Sequence, residues 1–262
     1  MDNVVVEGMG RSILVLHGGM GNQSSWEKVT DGLRDRFRVA RLHRRQYRLD
    51  VPRKVTLADE TEEVLAAAAT LDRPVLVGHS SGAVLALEAL VAAPGLFAGA
   101  VLYEPPLLID DRPLGDGTQG RGRGRAIDRA RAAIAEDKPG NAFAIFLREI
   151  AGLRGPMVTA ARIAMNRKPE IGPVVERQLD DNDAIDALGN RLAAYSKIDV
   201  PVLLLTGDQS PRHLQDRLSA LQAVLPDARR VTMHGQGHVA HATAPAMLAQ
   251  AIADWAVSPT TS

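Results

Sequence analysis

Along most of the chain, short runs of apolar residues are separated by longer segments in which apolar residues recur at helical spacing. The runs PVLV at 74–77, AVLY at 100–103 and VLLL at 202–205 are apolar at every position, which is typical of parallel strands covered by helices on both faces. Between such runs, apolar residues recur at helical steps of three and four residues. The alternation predicts an α/β fold with a doubly wound, mostly parallel sheet. Further strands are predicted at 4–6, 13–16, 38–42 and 229–233, and Trp26, Val29, Leu33 and Phe37 carry a helical pattern.

One long stretch, residues 107–196, contains no convincing strand pattern. It begins with a Gly- and Arg-rich segment at 115–125, which predicts a flexible connection. Because helical periodicity follows, we expect a helical insertion between two strands of the sheet. Helical patterns cover residues 126–136, 142–153 and 174–195.

We interpret residues 107–196 as a cap on a core domain formed by residues 1–106 and 197–262. A helical subdomain with a purely structural role is the alternative. Several large apolar residues of the cap would suit an apolar pocket, although the buried core of a cap would contain the same residue types. They are Phe143, Phe146, Leu147, Met157 and Met165.

The motif GHSSG at residues 78–82 lies between the apolar strand at 74–77 and an apolar helical pattern at 83–91. A sharp strand-to-helix turn strains the backbone of its central residue, and the flanking glycines let the strand and the helix pass closely. Ser80 is therefore the candidate nucleophile. An ordinary glycine-rich turn is the alternative, and Ser81 is a rival hydroxyl, although only Ser80 has a glycine two residues away on each side.

A second glycine motif, HGGMG at residues 17–21, follows the predicted strand at 13–16. Acyl transfer places negative charge on a carbonyl oxygen, which two preorganised backbone N–H donors can stabilise. We expect these donors to be Gly19 and Ser81, with Met20 in reserve for Gly19. The alternative is a tight turn that needs glycine for its backbone conformation.

Seven histidines compete for the role of general base. His238 ends the loop GQGH at 235–238, past the last predicted strand, and such a loop can bend back to bring a base within hydrogen-bond distance of a serine hydroxyl. His234 lies too close to the strand end, and His241 is expected to begin the next helix. His238 is therefore the candidate base.

The composition narrows the classes of function and of partner. With 31 basic and 31 acidic residues and 3% aromatic residues, the chain offers neither a basic surface nor a stacking platform for nucleic acid. The chain has no cysteine, which excludes thiolate metal sites and cysteine nucleophiles. No apolar run approaches the length of a membrane span, and no signal peptide is evident. We therefore expect a cytoplasmic protein without a nucleic-acid or membrane partner; a homo-oligomer remains open.

Taken together, the motifs HGGMG, GHSSG, VPVLLLTGD and GQGHVA resemble those of the α/β-hydrolase superfamily, in the same order and over residues 13–241. The resemblance implies that Ser80 is the nucleophile and His238 the base. It also implies that the cap lies between the sixth and seventh family strands. No cofactor or metal is expected, because acyl transfer by Ser80 and His238 requires neither.

The acid of the triad departs from the family pattern. The family's acid usually ends a G-x-x-D turn, but here the turn reads GDQS at 207–210, so Ser210 occupies that position. Asp208 lies two residues earlier in the same loop. Glu104 follows the strand AVLY, where some family members carry their acid. We favour Glu104 and keep Asp208 as the alternative, since an acid is needed to orient His238.

The predicted function is that of a serine hydrolase that cleaves an ester, thioester or lactone of a small, apolar molecule through an acyl-enzyme on Ser80. Two alternatives stay open. The same residues could serve a non-hydrolytic reaction, such as carbon–carbon cleavage, lyase chemistry or biosynthetic tailoring, because a fold does not determine a reaction. A non-catalytic ligand-binding protein is the less favoured alternative.

Overall fold

The computed structural model describes residues 3–109, 121–152 and 155–257. The chain divides into two compact units, one formed by Met1–Ile109 with Arg191–Ser262 and the other by Asp110–Asn190. The first unit holds the whole sheet, and the described elements of the second are helical.

The first unit is built on a seven-stranded sheet with the spatial order β1-β3-β2-β4-β5-β6-β7. Only β1 runs antiparallel to its neighbour, and all other pairs are parallel. The predicted doubly wound, mostly parallel sheet is therefore confirmed. The strands are β1 (Val4–Glu7), β2 (Arg11–Leu16), β3 (Phe37–Leu42), β4 (Val75–His79), β5 (Gly99–Tyr103), β6 (Val202–Gly207) and β7 (Ala228–Met233).

The central strands are buried along their whole length, because helices cover both faces of the sheet. Every residue of β4, β5 and β6 is buried, which explains why their sequences are apolar without alternation. The edge strands β1 and β7 keep several half-exposed residues. Parallel β4, β5 and β6 bring their carboxyl ends to one edge of the sheet, where the motif loops begin.

The helices are α1 (Glu27–Asp31), α2 (Leu57–Ala69), α3 (Ser81–Ala92), α4 (Arg121–Ala135), α5 (Pro139–Ile145), α6 (Pro156–Met165), α7 (Gly172–Leu188), α8 (Leu192–Tyr195), α9 (Arg212–Val224), α10 (Ala240–Thr243) and α11 (Pro245–Val257). Short 3-10 turns occupy Gln23–Trp26, Arg45–Tyr47, Pro94–Leu96 and Pro169–Ile171, and a π-helical turn occupies Phe146–Ile150. Within the described ranges, no helix has the length and apolar character needed to cross a membrane.

Two local predictions are wrong. The helical pattern from Trp26 to Phe37 gives only the short α1, because the chain turns at Gly32 and Phe37 already begins β3; its apolar residues are nevertheless buried. The Gly- and Arg-rich segment at 115–125 is helical from Arg121 onward. Its earlier residues, 115–120, lie outside the described ranges.

The second unit packs its helices through small residues. Gly140 in α5 lies against α6 so closely that a Cβ added there would stand 2.1 Å from the carbonyl oxygen of Arg162. The side chain of Asn166 accepts a hydrogen bond of 2.8 Å from the Gly140 N–H, which closes the end of α6 onto the start of α5. The side chain of Met157 and residues 153–154 lie outside the described part of this unit. Its buried apolar residues include Ala126, Ala130, Ala142, Val175, Leu179 and Ile185.

Candidate active site

Ser80 lies at the sharp turn from β4 into α3. Its backbone has φ 53° and ψ −126°, a strained conformation for a residue with a side chain. Its N–H donates to the carbonyl of Tyr103 at 2.9 Å, which fixes the turn to the end of β5. A Cβ at Gly82 would stand 2.4 Å from the carbonyl oxygen of His17, so only glycine permits this close approach.

The Ser80 hydroxyl lies against His238, which in turn lies against Glu104. His238 Nε2 is 3.0 Å from Ser80 Oγ, and His238 Nδ1 is 2.7 Å from Glu104 Oε2. Since a carboxylate can only accept, Nδ1 carries the proton in the neutral imidazole and Nε2 is left to accept from the serine. The three residues come from the ends of β4 and β5 and from the loop after β7.

Glu104 is held in a fully buried, donor-rich position directly after β5. Its Oε1 accepts hydrogen bonds of 2.8 Å from both Thr206 Oγ1 and the Gly207 N–H at the end of β6. Burial by itself raises the pKa of the Glu104 carboxyl, but the hydrogen bond and the charge of His238, together with the hydrogen bond from the Gly207 N–H, lower this pKa below its ordinary value. Glu104 is therefore ionised at neutral pH.

Asp208, the alternative acid, lies in a different environment. Its carboxylate accepts from the Gly235 N–H at 2.8 Å and pairs with His234 Nδ1 at 3.2 Å, and its side chain is 41% exposed. The structure thus places Asp208 with His234, and it places Glu104 with His238. Ser210, at the position of the family's usual acid, is buried, and within the described residues its hydroxyl has no hydrogen-bond partner by distance and angle.

The loop that carries His238 is tied to the sheet at two consecutive carbonyl groups. His79 Nε2 is 2.8 Å from the carbonyl oxygen of His238, and the Tyr103 hydroxyl donates to that of Gly237. Burial, together with the neighbouring His241 and His238, holds the pKa of His79 well below its ordinary value, so His79 is neutral. These two contacts position a loop that the sequence alone describes only as glycine-rich.

The HGGMG loop lies beside the nucleophile. Its Met20 has a positive φ of 55°, and Gly18 lies so close that a Cβ there would stand 3.1 Å from Ser80 Cβ. Among the described residues, the backbone N–H groups of Gly19, Met20 and Ser81 have no hydrogen-bond partner. All three N–H groups, including both Gly19 and Met20, are consequently available to a ligand.

His17, at the start of this loop, is buried and neutral. Burial, reinforced by the positive charge of Arg44, lowers the pKa of His17 to about 3. Its Nε2 accepts from the Arg44 N–H at 3.1 Å, so Nδ1 carries the proton and donates to the Gly18 carbonyl at 2.8 Å. His17 therefore shapes the loop.

Several residues of the site were missed from the sequence: Thr206, which binds Glu104; Tyr103, which ties the His238 loop; and the pair Arg44 and Glu60 behind the HGGMG loop. Thr206 belongs to the motif VPVLLLTGD and Tyr103 directly precedes Glu104 in the chain, and these positions are the signal that could have indicated them.

The sequence pattern that defines a family described as the Alpha/beta hydrolase family matches residues 13–251. A search of curated proteins gave no match. Among solved structures, an alpha/beta hydrolase from Sphaerobacter thermophilus is 24% identical and has a TM-score of 0.79, over 96% of this chain and 95% of that chain.

Two further solved structures are similar at lower identity. An esterase from Exiguobacterium antarcticum is 17% identical with a TM-score of 0.73, over 97% of this chain and 95% of that chain. A putative non-heme bromoperoxidase from Mycobacterium tuberculosis is 20% identical with a TM-score of 0.71, over 96% of this chain and 93% of that chain. At these identities the likeness shows a shared fold.

Proposed function

The chain belongs to the alpha/beta hydrolase family, and we propose that it is a serine hydrolase that cleaves an ester, thioester or lactone. The observation that carries this proposal is the hydrogen-bonded series from Ser80 through His238 to Glu104, with distances of 3.0 Å and 2.7 Å. Nucleophile, base and orienting acid in this order are what acyl transfer requires.

In the first half-reaction, Ser80 Oγ attacks the carbonyl carbon of the substrate while its proton passes to His238 Nε2. The buried carboxylate of Glu104 stabilises the imidazolium that forms. The negative oxygen of the tetrahedral intermediate is stabilised by the N–H of Ser81 and by that of Gly19 or Met20. As the intermediate collapses, the leaving alkoxide or thiolate takes the proton from His238, and the acyl group stays on Ser80.

In the second half-reaction, His238 is again neutral and removes a proton from water. The resulting hydroxide attacks the acyl carbon, the same N–H groups stabilise the second intermediate, and the proton on Nε2 returns to Ser80 Oγ as the carboxylic acid leaves. Each step uses the described residues and water.

For the helices within residues 107–196, we propose the role of a cap over a small, apolar substrate. The half-buried rings of Phe143 and Phe146, 6.3 Å apart, supply apolar surface within the helical unit and support this substrate class.

The proposal is tested by incubating the protein with a fluorophosphonate and, separately, with short-chain p-nitrophenyl esters, with Ser80→Ala and Ser81→Ala in parallel. We expect one covalent adduct per chain on Ser80 and ester turnover in the wild type. Both should be lost in Ser80→Ala, whereas Ser81→Ala should keep the adduct. Absence of both adduct and turnover from the wild type would contradict a working serine nucleophile and favour a ligand-binding or non-hydrolytic role.

A further inference from the structure

A buried ion pair lies behind the HGGMG loop. Arg44, just past the end of β3, is 0% exposed, and Glu60 of α2 is 3% exposed. Arg44 Nε is 3.2 Å from Glu60 Oε1, and Arg44 Nη2 is 2.6 Å from Glu60 Oε2. This two-pronged contact holds the planar guanidinium in one orientation, which a single ammonium group could not do.

The remaining nitrogen of the same guanidinium faces the candidate active site. Arg44 Nη1 donates to Ser81 Oγ at 2.7 Å and makes a longer contact of 3.5 Å to the carbonyl oxygen of His17. The backbone N–H of Arg44 also donates to His17 Nε2 at 3.1 Å. Arg44 therefore contacts both segments that supply candidate oxyanion donors, the residue after the nucleophile and the first residue of the HGGMG loop.

We propose that Arg44, oriented by Glu60, is a positioning residue that sets the distance between the Ser81 N–H and the N–H groups of the HGGMG loop, and so aligns the oxyanion hole. This inference depends on the proposed function, since it assigns Arg44 a part in stabilising the oxyanion. Arg44 acts through Ser81 and His17, and the charge of its guanidinium is balanced by Glu60.

A comparison with Arg41 in β3 separates this role from general stability. Arg41, three residues earlier, also pairs with a carboxylate, that of Glu7, and its side chain is 6% exposed. Its other hydrogen bond runs to the carbonyl oxygen of Gln23, outside both donor segments. Buried ion pairs can often be replaced by apolar side chains without loss of stability. The pairing of Arg44 with Glu60 is therefore weak evidence for a role in stability, and we explain its contacts with Ser81 and His17 by a role in the site.

Misaligned donors should weaken the binding of a tetrahedral intermediate more than that of a planar substrate, because the oxyanion exists only after attack. Loss of one whole oxyanion donor typically lowers kcat by about 10²- to 10³-fold. A shift of two donors that both remain present should cost less, about 10- to 100-fold in kcat, with KM changed by less than about threefold.

The central variant is Arg44→Met with Glu60→Gln, which removes both charges. Glu60 Oε1 accepts a hydrogen bond of 3.2 Å from the Gln46 N–H, and the amide oxygen of the introduced glutamine can still accept it. Arg44→Lys is the conservative variant, and Arg41→Met, three residues earlier in β3, is the matched control. The readouts are kcat and KM for a p-nitrophenyl ester, the inhibition constant of a trifluoromethyl ketone that forms a tetrahedral adduct, and the melting temperature.

We expect the double variant to lose kcat and ketone affinity in parallel, Arg44→Lys to lie between it and the wild type, and Arg41→Met to keep kcat within about twofold whatever its melting temperature. If the double variant does not fold, Arg44→Lys decides by the same readouts. Wild-type kcat and ketone affinity in the folded Arg44 variants would overturn this inference alone. A wild-type protein with neither turnover nor a Ser80 adduct would instead overturn the proposed function.

Discussion

Glu104 and Asp208 follow neighbouring parallel strands, β5 and β6, yet their carboxylates lie in contrasting environments. Glu104 is fully buried, accepts from Thr206 and Gly207, and lies 2.7 Å from His238. Asp208 is 41% exposed and pairs with His234, whose side chain is 89% exposed. Both carboxylates thus contact the loop at 235–238, Asp208 at the Gly235 N–H and Glu104 at His238 Nδ1.

The end of β6 supplies hydrogen-bond donors to Glu104, although Glu104 follows β5. Thr206 and Gly207 at its end donate to Glu104 across the sheet, because β5 and β6 pair in register from Ala100↔Val202 to Tyr103↔Leu205. Glu104 itself has a positive φ of 49°, a conformation that turns its side chain at the end of the strand and that residues other than glycine adopt at a cost.

The largest effect on kcat is expected from neutralising each of the two carboxylates in turn. Glu104→Gln should lower kcat for ester hydrolysis about 10³-fold or more, because an amide stabilises neither the imidazolium nor the correct tautomer of His238. Asp208→Asn should change kcat by less than about threefold, since its partner is the exposed His234. Steady-state kinetics of the two variants are the measurement, and the reverse ranking would return the acid to the loop after β6.

A smaller effect is expected from moving the acid between the strands. Ser210 is buried in the loop after β6, at the position where the family's acid usually lies. Adding Ser210→Asp to Glu104→Gln should therefore recover kcat about tenfold over Glu104→Gln alone, because a carboxylate returns to the side of His238 Nδ1. Ser210→Asn in the same background is the matched control, and equal rates for the two double variants would show that position 210 does not reach the base.

A modest effect is expected from removing one donor to Glu104. Thr206→Val keeps the shape of the side chain but removes the hydroxyl that donates to Glu104 Oε1 at 2.8 Å. The free energy of unfolding should fall by about 1–2 kcal/mol and kcat by a few fold, since the carboxylate is less firmly held. Thr206→Ser, which keeps the hydroxyl, should restore kcat; if both variants lose it equally, packing and not the hydrogen bond is responsible.

The smallest expected effect is on the pH dependence of stability. The folded-state pKa of Glu104 is lowered below its value in the unfolded chain, so its stabilising contribution is present above the unfolded pKa and is lost as the pH falls through the folded pKa. In that window the unfolded chain binds one more proton, worth up to about 1.4 kcal/mol per pH unit. Denaturant unfolding of Glu104→Gln at a series of acidic pH values should show a correspondingly shallower slope, and an unchanged slope would contradict the lowered pKa.

Much of the fold could be predicted because local pattern and global structure agree. Strands β4, β5 and β6 are apolar at nearly every position, and a parallel sheet covered by helices on both faces buries such strands completely. The prediction of a helix from Trp26 to Phe37 was wrong because its apolar residues are spaced for burial in the core and not along one helix. Val29 and Leu33 are both 1% exposed, yet only Glu27–Asp31 of this segment is α-helical.

The candidate site was predictable where the chain itself dictates the geometry. Ser80 lies in a strained turn that requires glycine at positions 78 and 82, and the sequence shows both glycines. A Cβ at Gly78, for example, would stand 2.6 Å from Ala83 Cα. The choice between Glu104 and Asp208 stayed open in the sequence because both are acidic residues just after a strand. Arg44 and Glu60 lie in a polar stretch and a helix whose sequences give no sign of burial.

By itself, then, the sequence determined the parallel sheet, the turn that presents Ser80 and the glycine-rich loops, since each follows from backbone sterics or from the burial of apolar strands. Three features depend on the tertiary structure: the carboxylate that lies beside His238, the hydrogen bonds that hold the loop of His238 at its carbonyl groups, and the burial of Arg44 against Ser81. These contacts join residues 134, 159 and 37 positions apart, and no local pattern of residues encodes distances over such separations. They depend instead on the register of neighbouring strands and on which polar groups are left to pair once the core has closed.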